Sequence, residues 1–146
     1  MIKLQFPKDK ISIRQRSGTN EVFDVIRKKW VKLTPEEWVR QNMIQYLIEK
    51  KFPASLLSVE KEIKLGELNK RCDIVVYARD AAPLIIIECK EMGTPLTDKV
   101  KAQVLRYHSA LPAKYLIITN GAYCFGYEKI NNRFVEINEF PPFVHS

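Results

Sequence analysis

The spacing of apolar residues predicts where the helices and strands of this chain lie. Residues 34–51 (TPEEWVRQNMIQYLIEKK) carry apolar side chains at a helical period, which is typical of an amphipathic helix of about four turns. Thr34 is suited to the N-cap, Pro35 to the first helical position, and Glu37 to the third, where its side chain would complete a capping box. We expect the apolar stripe of this helix to comprise Trp38, Met43, Tyr46 and Leu47.

The remaining segments predict strands and one further helix. Alternation of apolar and polar residues is typical of strands, and a period of about 3.6 is typical of a helix. In chain order, the segments are a hairpin (ISIRQRSGTNEVFDVI), a strand (LLSVEKEIKL), two strands (RCDIVVYARDAAPLIIIECKE), a helix (TDKVKAQVLRYHSAL), a buried strand (KYLIITNG) and a hairpin (YCFGYEKINNRFVEI). The apolar face of the second helix would comprise Val100, Val104, Tyr107 and Leu111. This order predicts an α/β fold, a mixed β-sheet flanked by helices, with an αβββαβ core between two hairpins.

Length and charge are those of one globular domain with a basic surface. At 146 residues the chain is long enough for a single hydrophobic core. We divide the domain 1–146 into a basic N-terminal hairpin extension (1–33), a core (34–120) and a C-terminal hairpin with a tail (121–146). The 24 basic and 17 acidic residues give a net charge of +7, which fits a polyanionic partner but does not by itself require one.

The cysteines and the apolar runs bear on the cellular compartment. Cys72, Cys89 and Cys124 are odd in number and lack a CxxC spacing, which argues against a disulfide framework and a zinc site and favours a reducing cytoplasm. No run of about 18 apolar residues occurs, and the N terminus has no apolar secretory segment. We therefore expect a cytoplasmic protein that has no membrane partner.

The strand PLIIIECKE is apolar on both faces but ends in charged residues. Side chains at positions i and i+2 of a strand share a face, so Glu88 and Lys90 point together, with Leu84 and Ile86 behind them. Ile85, Ile87 and Cys89 point the other way. Apolar residues on both faces predict a central strand covered on two sides.

The hairpin that contains this strand predicts a metal site. If Tyr77 lies opposite Leu84, the same register places Asp73 across from Glu88. Two carboxylates at that distance repel each other, and a divalent cation between them would remove the conflict. Oxygen ligands favour Mg²⁺, with Mn²⁺ as the alternative, and Lys90 beside them could orient water or stabilise a phosphorane-like transition state. The constellation predicts phosphodiester hydrolysis.

The sequence resembles the motif of the PD-(D/E)XK nucleases at Asp73, at the apolar hairpin that follows it, and at Glu88-Cys89-Lys90. Its closer resemblance is to the N-terminal nuclease domain of type I restriction enzyme R subunits. The resemblance covers roughly residues 20–130. It is carried, in order, by LTPEEWVRQ, VEKEIKLG, RCDIVVY, PLIIIECKE, QVLRY and YLIITNG. It implies a restriction-endonuclease-like fold and a Mg²⁺-dependent deoxyribonuclease.

The same resemblance implies roles for individual residues. Asp73 and Glu88 would bind the metal, the backbone carbonyl of Cys89 would add a ligand, and Lys90 would be catalytic. Gln103 would match the helix glutamine of the Q-x-x-x-Y element, which Tyr107 completes. An acidic residue of the first helix, Glu37 or Glu36, would be a further ligand, although both positions are also explained by helix capping and the helix dipole.

Several alternatives stay open at this stage. Cys72 stands where the family motif has proline, and no P-loop occurs, so we expect no helicase motor within these 146 residues. DNA would be the substrate, and a separate motor or specificity subunit, or a homodimer, could complete the assembly. The rival is a non-catalytic module that binds nucleic acid or protein on the same fold. A small-ligand α/β domain is disfavoured because no glycine-rich phosphate loop exists.

Other polar residues receive smaller predictions. The basic N-terminal third would meet DNA phosphates together with Lys99, Lys101 and Arg106. Glu60 and Glu62 alternate with apolar residues and are interpreted as solvated strand positions. His108 and His145 have no partner in the sequence pattern and are assigned no role, and the Cys89 side chain is interpreted as part of the core.

Overall fold

The computed structural model describes residues 1–143, which form two β-sheets and two α-helices. The helices are α1 (Pro35–Glu49) and α2 (Asp98–His108). The strands are β1 (Ile2–Lys3), β2 (Ile13–Arg16), β3 (Thr19–Asp24), β4 (Lys29–Lys32), β5 (Leu57–Leu65), β6 (Leu68–Tyr77), β7 (Pro83–Cys89), β8 (Tyr115–Thr119), β9 (Tyr123–Ile130) and β10 (Arg133–Ile137). The larger sheet has the order β1-β9-β8-β7-β6-β5, with β10 also pairing with β9, and β2-β3-β4 form a separate sheet. The predicted α/β fold with a mixed sheet is confirmed.

Strand β7 is a central strand because apolar side chains cover both of its faces. Ile85 and Ile87 join a core cluster with Met43 of α1. Ile86 joins a second core cluster with Val104 of α2. Strand β6 pairs with β7 antiparallel and β8 pairs with it parallel, so the charged end of β7 is held from both sides.

Helix α1 begins at the predicted cap, but the capping box forms only in half. The Thr34 hydroxyl oxygen accepts a hydrogen bond from the Glu37 backbone N–H at 3.0 Å. The Glu37 carboxylate does not return to Thr34, because three other side chains donate hydrogen bonds to it. Neither helix in residues 1–143 combines the length and the apolar character that a membrane span needs.

Two aromatic residues that were predicted to lie on apolar stripes are exposed. Trp38 in α1 is 37% exposed and Tyr107 in α2 is 43% exposed, so both predictions are wrong. In α1 the stripe is completed by Val39 and Ile44, which are fully buried. Leu111 is buried as predicted, although α2 ends before it.

The N-terminal region holds a three-stranded sheet rather than the predicted hairpin. Strand β4 (KWVK) pairs with β3 and places Trp30 opposite Phe23. The turn between β3 and β4 (residues 25–28, VIRK) contains no Gly, Pro, Asn or Asp, so no turn signal marked a second hairpin in the sequence. Strand β1 lies apart from this sheet and pairs with β9 at the edge of the larger one.

The β6–β7 hairpin departs from the predicted register near its loop. Tyr77 pairs with Pro83 and not with Leu84, because the register shifts by one residue between Val76 and Tyr77. From Val76, which pairs with Ile85, back to Ile74, which pairs with Ile87, the predicted register holds, and the ladder ends one residue before Asp73. The shift turns Leu84 toward the α1 side of the sheet, so it does not lie behind Glu88 as predicted.

Candidate active site

An open cavity of about 440 Å³ lies at the charged end of β6 and β7, beside α2. It is lined by four residues that the sequence nominated: Asp73, Glu88, Lys90 and Gln103. It is also lined by Glu36, which the sequence analysis gave as an alternative to Glu37, and by Glu60 and His108, to which it assigned no role in the site. The fold therefore brings the proposed catalytic set to one place.

At Asp73, strand β6 is not paired in register with either of its neighbours, β5 or β7. The β6–β7 ladder stops at Ile74↔Ile87, and the β5–β6 ladder skips the position where Glu60 faces Asp73. Asp73 Oδ2 accepts the backbone N–H of Cys89 at 2.8 Å. A side-chain oxygen thus takes the place of a backbone acceptor between β6 and β7, which fixes the carboxylate at the sheet end.

Glu60 has a backbone conformation that is unusual for a strand residue. Its φ of 55° lies in the left-handed region, which costs a non-glycine residue about 1–2 kcal/mol. Its carboxylate lies 2.7 Å from Nη2 of Arg40 and 2.9 Å from Nη2 of Arg71. The interpretation of Glu60 as a solvated strand position is wrong, because the residue lines the cavity. Backbone strain of this kind is often found at functional sites.

Asp73 is a buried carboxyl that shares its cavity with Glu88, whose charge has the same sign. Burial, followed by the Glu88 charge, raises the pKa of Asp73 to about 6 despite the hydrogen bonds that Arg40 and a backbone N–H donate to the carboxylate. Lys90 Nζ lies 3.7 Å from Glu88 Oε1 and compensates part of the negative charge. A further cation beside Asp73 and Glu88 would complete the compensation.

His108 is a cavity residue that the sequence interpretation missed. Its Nε2 lies 3.4 Å from Glu88 Oε2, and its side chain is 1% exposed. Its Nδ1 is buried without a hydrogen-bond partner in residues 1–143. The interpretation of His108 as a histidine without a partner is therefore wrong. His145, which was also assigned no role, lies outside the described residues.

Arg40 connects the carboxylates of this region, although no motif nominated it. The residue is 6% exposed. Its guanidinium donates to Glu37 Oε1 at 2.7 Å and to Asp73 Oδ1 at 2.8 Å. It also pairs with Glu60 at 2.7 Å and with Glu36 at 3.2 Å. Burial opposes the charge, but these carboxylates raise the pKa of Arg40 above its ordinary value, so the guanidinium is a fixed cation.

An alternating chain of charges runs from the three-stranded sheet to Asp73. Asp24 Oδ2 accepts from Arg27 Nε at 2.6 Å, and Arg27 Nη2 donates to Glu37 Oε1 at 3.0 Å. Glu37 then accepts from Arg40, which reaches Asp73. We call this series, Asp24–Arg27–Glu37–Arg40–Asp73, the ion-pair chain. Arg27 and Arg40 donate to Glu37 Oε1 and Gln41 donates to Oε2, and Glu37 is not among the residues that line the cavity.

The first-helix acid that the structure brings to the cavity is Glu36 rather than Glu37. Its side chain is 52% exposed, and its carboxylate touches Arg40. The sequence left Glu36 and Glu37 as alternatives because capping and the helix dipole explained both. The structure distinguishes them, because the Glu37 side chain is bonded to Arg27, Arg40 and Gln41 while the Glu36 side chain lines the cavity.

Helix α2 supplies the polar wall of the cavity opposite the sheet. Gln103 lines the cavity beside Glu88 and Lys90. The Tyr107 hydroxyl accepts the backbone N–H of Arg71 at 3.3 Å, and Lys70 Nζ lies 4.2 Å from the centre of its ring. These contacts explain how Tyr107 is exposed yet ordered over β6.

The three cysteines are free and buried. The Cys89 side chain packs in the α1-side core, as predicted. Burial raises the pKa of the Cys72 and Cys124 thiols to about 12 and that of Cys89 well above its ordinary value. These thiols are therefore protonated and are not nucleophiles.

The donor set of the cavity fits a hard cation better than a softer one. No three His, Cys, Asp or Glu side chains in residues 1–143 are grouped as a ready metal cluster. Mg²⁺ does not need such a cluster, because it keeps several waters and binds through one or two carboxylates. Asp73 and Glu88 are such a pair, and burial followed by the Glu88 charge raises the pKa of Asp73. The Cys89 carbonyl stays a predicted third ligand.

A mixed sheet that carries Asp73 on one strand and Glu88 and Lys90 at the end of the next is the arrangement that the resemblance to the PD-(D/E)XK nucleases implies. Residues 35–141 match the family described as type I restriction enzyme R protein N terminus (HSDR_N), and the chain belongs to this family. No curated protein matches the chain. Residues 1–34, including the three-stranded sheet, lie outside the matched range.

Proposed function

We propose that this protein is a metal-dependent deoxyribonuclease, with its active site in the cavity at the end of β6 and β7. The observation that carries the proposal is the meeting of Asp73, Glu88 and Lys90 in one cavity, where burial and the Glu88 charge raise the pKa of Asp73 to about 6. A strongly perturbed carboxyl in a cleft is typical of functional sites. The family supports DNA as the substrate, since restriction enzymes give it its name.

Each residue has a chemical role in this proposal. Asp73 and Glu88 would hold Mg²⁺, with Mn²⁺ as the alternative. Bound there, the ion would polarise the scissile phosphate and lower the pKa of a neighbouring water. Lys90, beside Glu88, would donate to the charge that develops on the phosphate. Gln103 would orient the attacking water or the phosphate from the α2 side.

Two further residues would act on these groups without touching the substrate. Arg40 holds Asp73 Oδ1 at 2.8 Å and so fixes the orientation of the carboxylate. His108 lies against Glu88 Oε2 and restricts the rotation of that side chain. Partners that orient ligating carboxylates commonly matter to metal sites nearly as much as the ligands.

The test is direct cleavage of DNA. Purified protein is incubated with linear and with supercoiled DNA, in Mg²⁺, in Mn²⁺ and in EDTA, with the Lys90→Ala protein prepared in parallel. We expect strand breaks that require a divalent ion and are lost with Lys90→Ala. Binding of DNA without cleavage in either metal, or undiminished cleavage by Lys90→Ala, would overturn the catalytic assignment.

The family also suggests an assembly. Because R proteins are subunits of type I restriction enzymes, we propose that a separate motor or specificity subunit acts with this domain on DNA. A cleavage assay repeated with such subunits added would show whether they stimulate the domain. Cleavage unchanged by their addition would contradict this part of the proposal.

A further inference from the structure

The positive charge of the protein is concentrated at its N terminus. Residues 1–33 contain nine Lys or Arg residues and three Asp or Glu residues, a net charge of +6 out of +7 for the whole chain. The remaining 113 residues are therefore nearly neutral. The family match begins after this region, so the basic character does not come from the matched domain.

The three-stranded sheet sorts this region into an inner and an outer face. Val22 and Asp24 are fully buried and mark the inner face, which packs on the rest of the protein. Residues that pair across neighbouring strands share a face of the sheet. The face opposite Val22 and Asp24 is therefore made of three sets of paired residues: Arg14–Glu21–Lys32, Arg16–Thr19 and Phe23–Trp30. We call these seven residues the outer face.

The cations of the outer face are arranged over an aromatic pair. The Arg14 guanidinium lies 4.2 Å from the centre of the Trp30 ring and is fixed by Glu21 at 2.8 Å. Phe23 packs edge-on against Trp30, with ring centres 5.4 Å apart. This packing holds the sheet surface rigid where Arg14 presents its remaining N–H groups.

The other cations of the outer face form no ion pair among the described residues. Arg16 and Lys32 are exposed and form no ion pair with any residue in 1–143. By contrast, Lys101 of α2, which was predicted to meet phosphate, already pairs with Asp98 at 3.1 Å and lies 3.9 Å from the Phe125 ring centre. Lys99 and Arg106 of α2 are likewise exposed and form no ion pair in residues 1–143, so the N-terminal sheet is distinguished by the +6 net charge of its segment and not by unpaired cations alone.

We propose that the outer face of the three-stranded sheet is a DNA-docking surface that binds the phosphate backbone. Arg14, Arg16 and Lys32 contact phosphates, and no base edge is read. The ion-pair chain fixes this sheet to the same helix, α1, that orients Asp73, so DNA held on the sheet stays in a constant position relative to the cavity. The inference deepens the proposed function, from which it takes DNA as the polyanion.

The test measures DNA binding in EDTA, so that no cleavage occurs. The Arg16→Gln/Lys32→Gln protein is compared with the parent by fluorescence anisotropy on a labelled duplex across a range of salt concentrations. Each lost phosphate contact lowers the salt slope of log K by about 0.9, so the slope should fall by about 1.8 and affinity roughly thirtyfold near 0.15 M salt. An unchanged slope and affinity would overturn the proposal.

Two matched proteins control for charge and folding. Lys50→Gln/Lys51→Gln removes the same charge at the far end of α1, roughly 20 Å from its N terminus, and should bind DNA nearly as the parent does. Arg16→Lys/Lys32→Arg retains the charge and should restore binding. If Lys50→Gln/Lys51→Gln weakens DNA binding as much as Arg16→Gln/Lys32→Gln does, then binding depends on the net charge of the protein and not on the outer face, and the proposal fails.

Tryptophan fluorescence locates the surface independently. The chain has two tryptophans, so Trp38→Phe leaves Trp30 as the only tryptophan, which is excited selectively at a wavelength where tyrosine does not absorb. DNA should change the Trp30 emission with the same dissociation constant that anisotropy reports. DNA that binds without altering this emission, or a sheet that binds anionic vesicles in preference to DNA, would contradict the assignment. Because both measurements use EDTA, a protein that binds as expected but never cleaves would count against the proposed nuclease activity alone.

Discussion

Replacement of Arg40 by methionine should destabilise the protein strongly, because it leaves buried carboxylates without their cation. Arg40, Glu37 and Asp73 are at most 9% exposed. Glu37 retains Arg27 and Gln41, whereas the Cys89 N–H is the one hydrogen-bond donor that Asp73 retains among residues 1–143. Breaking a buried pair on one side typically costs about 3–5 kcal/mol. This loss is a large fraction of the roughly 5–15 kcal/mol that stabilises a domain.

The loss should depend on pH in a defined direction. A carboxyl whose pKa is higher in the folded than in the unfolded protein favours folding below its unfolded pKa and loses that contribution as pH rises to the folded value. Asp73 has such a raised pKa, about 6. Without Arg40 this pKa rises further, so the stability of the variant should continue to fall above pH 6, by up to about 1.4 kcal/mol per pH unit, while that of the parent does not.

The assay is urea unfolding followed by circular dichroism, without metal, at pH 5 and pH 7. Asp73→Asn provides the second side of a double-mutant cycle, since the amide can still accept from the Cys89 N–H but carries no charge. We expect Arg40→Met to cost about 0.5–3 kcal/mol less in the Asp73→Asn background than in the parent. A cost below about 1 kcal/mol in the parent, or the same cost in both backgrounds, would refute the view that Arg40 neutralises Asp73.

The remaining predictions concern the metal and the chemistry. Lys90→Ala should lower the cleavage rate by about 10² to 10³ in single-turnover kinetics and leave DNA affinity nearly unchanged, because only a group acting at the reacting phosphate is lost. Mg²⁺ affinity, measured by calorimetry, should fall as pH drops through about 6, where Asp73 becomes protonated, and Asp73→Asn should bind Mg²⁺ weakly at every pH. His108→Ala should weaken Mg²⁺ binding about tenfold by freeing Glu88, and an affinity equal to that of the parent would show that His108 serves only packing.

The parts of the fold that sequence predicted are those that local patterns determine. Apolar residues on both faces of β7 identified a central strand, and residue alternation placed Glu88 and Lys90 together. The predicted register of β6 and β7 holds from Ile74 to Val76 and is wrong at the loop, where a bulge places Pro83 opposite Tyr77. A bulge of one residue does not change the alternation of apolar and polar residues in the next strand, so the sequence pattern could not predict it.

The parts that sequence did not predict depend on tertiary contacts. Arg40 lies among polar residues of α1, and an arginine in such a pattern is ordinarily exposed. Its burial follows from Asp73 and Glu60, which are distant in sequence. His108 was likewise unpartnered until the packing of α2 brought it to Glu88. The positive φ of Glu60, which directs its carboxylate into the cavity, has no signal in an alternating strand.

The ion-pair chain has a consequence for how the protein can be divided. It begins at Asp24, before the start of the family match, and ends at Asp73, inside it. A fragment that starts at residue 35 would keep Glu37 but lose Arg27, one of the two arginines that neutralise it. The boundary drawn by sequence similarity therefore cuts through an electrostatic unit. We therefore expect the smallest fragment that folds and retains the site to extend at least to Asp24 and to include the N-terminal sheet.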